Sequence, residues 1–239
     1  ESPSNVGSFL TWQQPHYIYM AEEMWRNVCA KPGVTEDEKK AIIAKYGKNV
    51  EETAELLYDF AKSCDHNTGS ISLYGQTAMQ ESMSKDFSYC HPFEQVYFKY
   101  GLMKAQEWRE RSGKQRREDW DEVIQSLASL PQSEGIYTAG IPTQPFIIAD
   151  SASQNAGNVA FDPFNYGGDT GKKQLTEEEF KLKCRSDHPA VLGACGLLPD
   201  CGLYDRAMMQ RTLDWVMQNW NWDTTWGWDY GMTAMCAAR

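Results

Sequence analysis

Long apolar runs are missing from this chain of 239 residues: no stretch approaches the roughly eighteen consecutive apolar residues that a membrane-spanning helix requires, so no membrane span is expected. Positive charge is also in short supply. Lys and Arg total 23 against 33 Asp and Glu, and a net charge of -10 repels a polyanion unless the cations gather on one face. The basic run Arg109, Arg111, Lys114, Arg116 and Arg117 is interleaved with Glu107, Glu110, Glu118 and Asp119, as on a solvated helical hairpin, so no nucleic acid partner is expected. The seven cysteines are odd in number and contain no C-x-x-C, which indicates neither a complete disulfide framework nor a redox dithiol. Cys184, His188, Cys195 and Cys201 lie close together in sequence but match no zinc spacing, and small buried thiols account for them; no metal and no cofactor is expected. G-x-S-x-G, H-E-x-x-H, P-loop, G-x-G-x-x-G and EF-hand strings are absent, and the four histidines are far apart. The Asn/Asp/Gly stretch 155–169 offers oxygen ligands without the spacing of a calcium loop, and turn formation accounts for it better.

What is present is helical periodicity. After Trp12, the residues Tyr17, Met20, Ala21, Met24 and Val28 recur at offsets of three and four and predict one apolar stripe, with Pro15 in its first turn. Val50, Ala54, Leu57 and Ala61 repeat the pattern, as do Phe93, Val96, Tyr97, Tyr100, Gly101 and Trp108. Trp120, Val123, Ile124 and Leu127 predict another helix before Pro131, and Met209, Leu213, Val216 and Trp220 one more; shorter candidates are 36–45, 176–184, 188–198 and 226–238. Short links are expected around Gly47 and Gly113. Strand signals are few, and the best is a short extended piece within 136–148, kept from a central position by Pro142 and Pro145. The fold class is therefore all-α, and residues 1–239 read as part of a single helical domain. Two connections, 64–92 and 131–175, are too long for a simple bundle; Tyr74, Phe87, Tyr89, Phe146, Phe161, Phe164 and Tyr166 argue that they are ordered, site-forming loops.

Three clusters carry chemistry. Five of the nine tryptophans crowd into 215–228, and the segment 222–230 mixes Trp222, Trp226 and Trp228 with Asp223 and Asp229. Indole faces stack on sugar C–H faces while carboxylates bond hydroxyls, so this suits a carbohydrate site; a Trp-rich core or interface is the competing account. Trp12, Gln13, Gln14 and His16 at a helix start offer an indole, two amides and an imidazole to a polyol, or equally cap and pack that start. The loop 75–81 ends in Glu81 and leads to His91-Pro92-Phe93-Glu94. Glycoside cleavage needs one carboxylic acid to protonate the leaving oxygen and a second carboxylate to activate water or attack carbon, and a loop acid beside aromatics has the raised pKa the first role requires; a solvated loop Glu is the plainer alternative.

Four strings together carry a family likeness: ESPS followed by FLTWQQPHYIYMAEEMWR, then HPFEQVYFKYGLMKAQEWRERSG, DHPAVLGACGLLP, and TWGWDYGMTAMCAAR. The chain resembles the six-hairpin, (α/α)6-barrel glycosidases, in particular bacterial proteins related to glycoside hydrolase family 65 and more distantly family 95. The resemblance implies a helical toroid, incomplete in this chain, whose partners would be a carbohydrate substrate and the remainder of its own polypeptide at both ends; helix formers running to Arg239 without a stop agree with that. It implies hydrolysis of an α-linked sugar with inversion, Glu81 as general acid with Glu94 in reserve, Asp229 as second carboxylate, and Trp12, Gln13, Gln14, Glu94, His16, His188, Trp226 and Trp228 as sugar contacts. A phosphate-dependent disaccharide phosphorylase and a non-catalytic carbohydrate-binding relative are the alternatives. A periplasmic or secreted location is implied by the same likeness.

Overall fold

In a computed structural model, residues 10–64, 70–73, 78–83, 88–142 and 176–239 are described, excluding the Glu81 side chain. Tyr74, Gly75, Gln76, Thr77, Phe87, Phe146, Phe161, Phe164, Tyr166 and the 155–169 stretch lie outside the described residues. Of the described residues 66% are helical, which agrees with an all-α class. The sequence reading treats 1–239 as part of one domain; the fold gathers into two compact units, one of Glu1–Thr11, Tyr74–Glu94 and Leu130–Arg239, the other of Trp12–Leu73 and Gln95–Ser129.

The second of these units contains α1 (His16–Cys29), α2 (Glu36–Ser63), most of α3 (Pro92–Arg111) and α4 (Glu118–Ser126). Thr35 starts α2 with a reciprocal cap: its hydroxyl accepts from the Glu38 N–H while the Glu38 carboxylate accepts from the Thr35 N–H. The helix then runs 28 residues straight through Gly47, so the expected link there does not exist. A mid-helix glycine costs about 1 kcal/mol, and the buried row Val50, Ala54, Leu57 and Ala61 outweighs it at roughly 1.5–3 kcal/mol for each large aliphatic side chain. Gly113, with φ +74°, does turn the chain between α3 and α4.

The α1 stripe is rotated from its predicted position. Ile18, Ala21, Glu22 and Val28 face inward, whereas Met20 is 66% exposed and Met24 is also exposed. The reason is Glu22, a buried carboxylate that a purely apolar count leaves out. Arg111 binds it with two guanidinium nitrogens at 2.6 and 3.2 Å, and the Trp108 indole N–H donates to it at 3.0 Å. Burial alone would raise the Glu22 pKa, but Arg111, Trp108 and Lys104 outweigh it and hold the carboxyl below its usual range. Two buried glutamines on α3 serve loop backbone in the same way: Gln95 bonds the backbone of Leu73, Ile71 and Ala128, and Gln106 brackets Arg117.

The other unit contains α5 (Glu177–Cys184), α6 (Ala190–Gly196), α7 (Arg206–Asn219) and α8 (Gly227–Ala238) with two minimal antiparallel ribbons. β2 (Gln132–Ser133) and β3 (Ile136–Tyr137) form a hairpin whose two turn residues, Glu134 and Gly135, both have positive φ, the geometry that matches strand twist. β1 (Ser88–Tyr89) pairs with β4 (Ile141–Pro142), placing Pro142 in a two-stranded ribbon as its missing donor demands and tying the two long connections together. The Thr212 hydroxyl of α7 accepts from the Tyr137 N–H, and the Tyr137 hydroxyl accepts from the Asp205 N–H, which docks the hairpin on that helix.

Candidate active site

A 3-10 turn, Glu81–Met83, brings the first long connection to the segment before α6. The Gln80 amide donates to the carbonyls of Lys183 and Ser186, both at 2.9 Å, and the Ser82 N–H donates to Asp187 Oδ2 at 3.1 Å. Asp187 sits at φ +68°, a conformation uncommon outside glycine, and is held there by the Trp220 indole N–H on its carbonyl and the Thr224 hydroxyl on its N–H.

From Asp187 the polar array continues inward. Asp187 Oδ1 lies 3.5 Å from His188 Nε2, and His188 Nδ1 lies 3.0 and 3.1 Å from the two oxygens of Asp229. Asp229 Oδ2 also accepts the Trp226 N–H at 2.7 Å, capping α8. Asp229, the expected second carboxylate, has no exposed surface, and both of its oxygens are hydrogen-bonded within the protein, to His188 and to the Trp226 N–H. Asp187 keeps part of its side chain exposed, and burial raises its pKa against the opposing pull of His188 and of the N–H groups of Ser82 and His188. Around this array the indoles face outward: Trp226 is 65% and Trp228 43% exposed, and the His188 ring stacks 4.4 Å from Trp228. Trp222 and Tyr230 stack beside them at 5.5 Å. A buried tryptophan core is therefore not what 222–230 builds.

Glu94 lies in the same unit, at the third residue of α3, and is only 1% exposed. Its Oε1 accepts the Met79 N–H at 2.6 Å, and its Oε2 has no partner among the described residues. Burial pushes this carboxyl up to about 7. Nearby in sequence, burial pulls His91 down to about 4; its Nε2 meets the Ser88 hydroxyl at 2.8 Å.

Trp12, Gln13, Gln14 and His16 fall in the other unit. Trp12 stacks edge-on against His16 at 5.6 Å, and His16 against Tyr97 at 5.4 Å, with Tyr19 and Tyr100 completing the cluster. The Trp12 Nε1, His16 Nδ1 and Tyr100 hydroxyl are buried without partners among the described residues, and burial lowers the His16 pKa. Gln13 and Gln14 are half-buried beside them. In that unit a cleft of about 310 Å³ lies between α2 and α3 against Trp108, Lys48, Glu51, Arg109 and Lys114. Arg109 and Lys114 both pair with Glu51, as Arg117 does with Glu55 and Asp119, so the basic run is spent on ion pairs.

No family model fits the sequence, and no curated protein or solved structure matches it.

The structure thus joins His188, Trp226, Trp228 and Asp229, and separately Trp12 and His16. Asp187, Tyr19 and Tyr100 are additions that sequence reasoning missed. The D-H-P string contained the signal for Asp187, since a carboxylate next to a site histidine is a natural partner for it. Tyr100 was hidden because an aromatic row at helical spacing reads as core, and Tyr19 because it falls outside the apolar stripe predicted for α1.

Proposed function

We propose that this chain carries the sugar site of an inverting glycoside hydrolase acting on an α-linked substrate, within an (α/α)6 toroid. The observation that carries the reading is the Ser82 to Asp187 hydrogen bond at 3.1 Å. It joins the turn that begins with Glu81 to the Asp187–His188–Asp229 array beneath two outward-facing indoles.

In this reading Glu81 protonates the leaving oxygen, and Asp187, made more basic by burial, positions the attacking water. Asp229 acts through His188 by holding its Nδ1. Trp226 and Trp228 take the sugar's C–H faces and exclude bulk water, which strengthens each charge in the site. Glu94 is the reserve acid, since a carboxyl raised to about 7 holds its proton over part of the population at neutral pH.

Replacing Glu81 by Gln is expected to abolish turnover of α-glycosides while sugar binding, followed by calorimetry, persists. Unchanged turnover removes Glu81 from the role. A phosphorylase would instead require inorganic phosphate for product to form. The complete burial of Asp229 and Glu94 favours, as a second reading, a non-catalytic sugar-binding protein; sugar binding with no turnover of any α-glycoside, with or without phosphate, would select it.

A further inference from the structure

The cleft of about 310 Å³ between α2 and α3 is large enough for a small molecule, and it lies wholly within the unit of Trp12–Leu73 and Gln95–Ser129. Ala44, Val50, Ala105 and Trp108 give it an apolar lining. Gly47 lines it too, and packing does not require a glycine there. Gly47 lies inside α2, is not among the glycines of positive φ, and a Cβ built on it would meet nothing nearer than Ile43 Cγ2 at 3.8 Å and Ser112 Oγ at 3.9 Å, ordinary van der Waals contact. Almost any other residue would suit the helix better. What the glycine supplies is room, because Ser112 also lines the cleft and a side chain at position 47 would project toward it.

The charged part of the lining is unbalanced. Lys48 from α2, Arg109 from α3 and Lys114 from the turn that follows stand against one carboxylate, Glu51. Gly113 reverses the chain at the end of α3, and the Lys114 N–H closes back on the Arg109 carbonyl at 2.9 Å, which gathers the two cations on one side. Glu51 answers both of them, its Oε2 meeting Lys114 Nζ at 2.5 Å and its Oε1 meeting Arg109 Nη1. Arg109 Nε is taken by the Gln115 carbonyl, but its Nη2 makes no hydrogen bond among the described residues. Lys48 meets Glu52 at 3.5 Å, both side chains being mostly exposed. Two positive charges are therefore in excess along the cleft, on a chain whose net charge is -10.

We propose that this cleft binds a phosphate monoester with a flat apolar body, the phosphate on Lys48, Arg109 and Lys114 and the body over Gly47. A phosphate monoester carries close to two negative charges at neutral pH and offers three oxygens to three cationic side chains. A carboxylate brings half that charge, and Glu51 already fills the place of one. The apolar body takes the space that a side chain at 47 would occupy. Asp187, His188 and Asp229 belong to the other unit, so this site does not rest on the sugar reading.

Isothermal titration calorimetry of the whole chain tests it at low salt and about pH 7.5, above the second phosphate pKa of about 6. The probe is naphthyl phosphate, compared with naphthol, inorganic phosphate and naphthoate. Naphthyl phosphate is expected to bind with a dissociation constant below about 1 mM, and each of the other three roughly tenfold more weakly or worse. Lys48→Gln and Lys114→Gln, at exposed side chains, should each weaken the probe roughly fivefold. Gly47→Leu should abolish binding while the thermal midpoint holds or rises, leucine being the better helix former. No binding at millimolar probe, equal affinity for naphthol or naphthoate, or binding that survives Gly47→Leu overturns the proposal. Should Gly47→Leu fail to fold, the two lysine variants decide, and affinity unchanged in both overturns it.

Discussion

Glu94 offers a stability measurement whose sign follows from its burial. The carboxyl has an ordinary pKa of 4.5 and is raised to about 7 in the fold by loss of solvent, against the opposing pull of the Met79 N–H and of its own backbone N–H. Below pH 4.5 it is protonated whether the chain is folded or not, and it has no effect on the pH dependence. Between 4.5 and 7 the unfolded chain ionises while the folded chain holds its proton, so stability falls as pH rises. Above 7 the loss is complete. At about 1.4 kcal/mol per pH decade, the interval from 4.5 to about 7 amounts to about 3 kcal/mol. Glu94→Gln keeps an acceptor for the Met79 N–H and carries no charge at any pH. Urea unfolding of both proteins should therefore give nearly equal stability at pH 4 and a variant more stable by about 3 kcal/mol at pH 8. His91 titrates in the opposite direction, destabilising the fold as pH falls from 6.5 toward about 4, but it is common to both proteins and cancels in the difference. An identical difference at the two pH values would refute the assignment of a buried, proton-holding carboxyl.

Further outcomes follow from the packing. Glu22→Ala should cost about 3–5 kcal/mol in urea unfolding, since it strands the Trp108 indole N–H and half of the Arg111 pairing; a loss under about 1 kcal/mol would contradict the buried ion pair. Because the Glu22 pKa is lowered, its stabilisation is present at neutral pH and is lost as acid protonates it in the fold. Gly196→Ala should cost about 3 kcal/mol by thermal unfolding, because the new methyl meets backbone, whereas Gly101→Ala should cost less, its nearest neighbour being the movable end of Leu57 at 2.9 Å; equal losses would speak against so close a helix contact. Trp228→Ala, at an exposed position, should leave stability within about 0.5 kcal/mol and weaken sugar binding about tenfold by calorimetry, with unchanged affinity removing the indole from the site.

Much of the helical skeleton is legible in the sequence. The row Met209, Leu213 and Val216 on α7, with Trp220 just after its end, is buried as its spacing predicts, and the turn between helices at Gly113 and the extended residues near 136–142 fall where turn chemistry and proline placement put them. The misreadings share a physical cause. Gly47 looks like a stop because local propensity is against it, yet a buried face downstream and a strong cap upstream carry the helix across. Met20 and Met24 look like core until Glu22 claims the inward face with two partners more than eighty residues away, which no local pattern records. Asp229 looks like a solvent-facing site acid, but helix capping and His188 use both of its oxygens. Gly193 and Gly196 let α6 lie close against Met232 and Cys236 of α8, a tertiary fact carried by no spacing rule.

Proton NMR of an α-linked disaccharide mixed with the protein, recorded from the first minutes, bears on the central claim most directly. The account expects a free sugar of the opposite, β anomeric form to appear first without added phosphate, and expects Glu81→Gln to stop its release. Release first as the α anomer, or release that Glu81→Gln leaves unchanged, would contradict it.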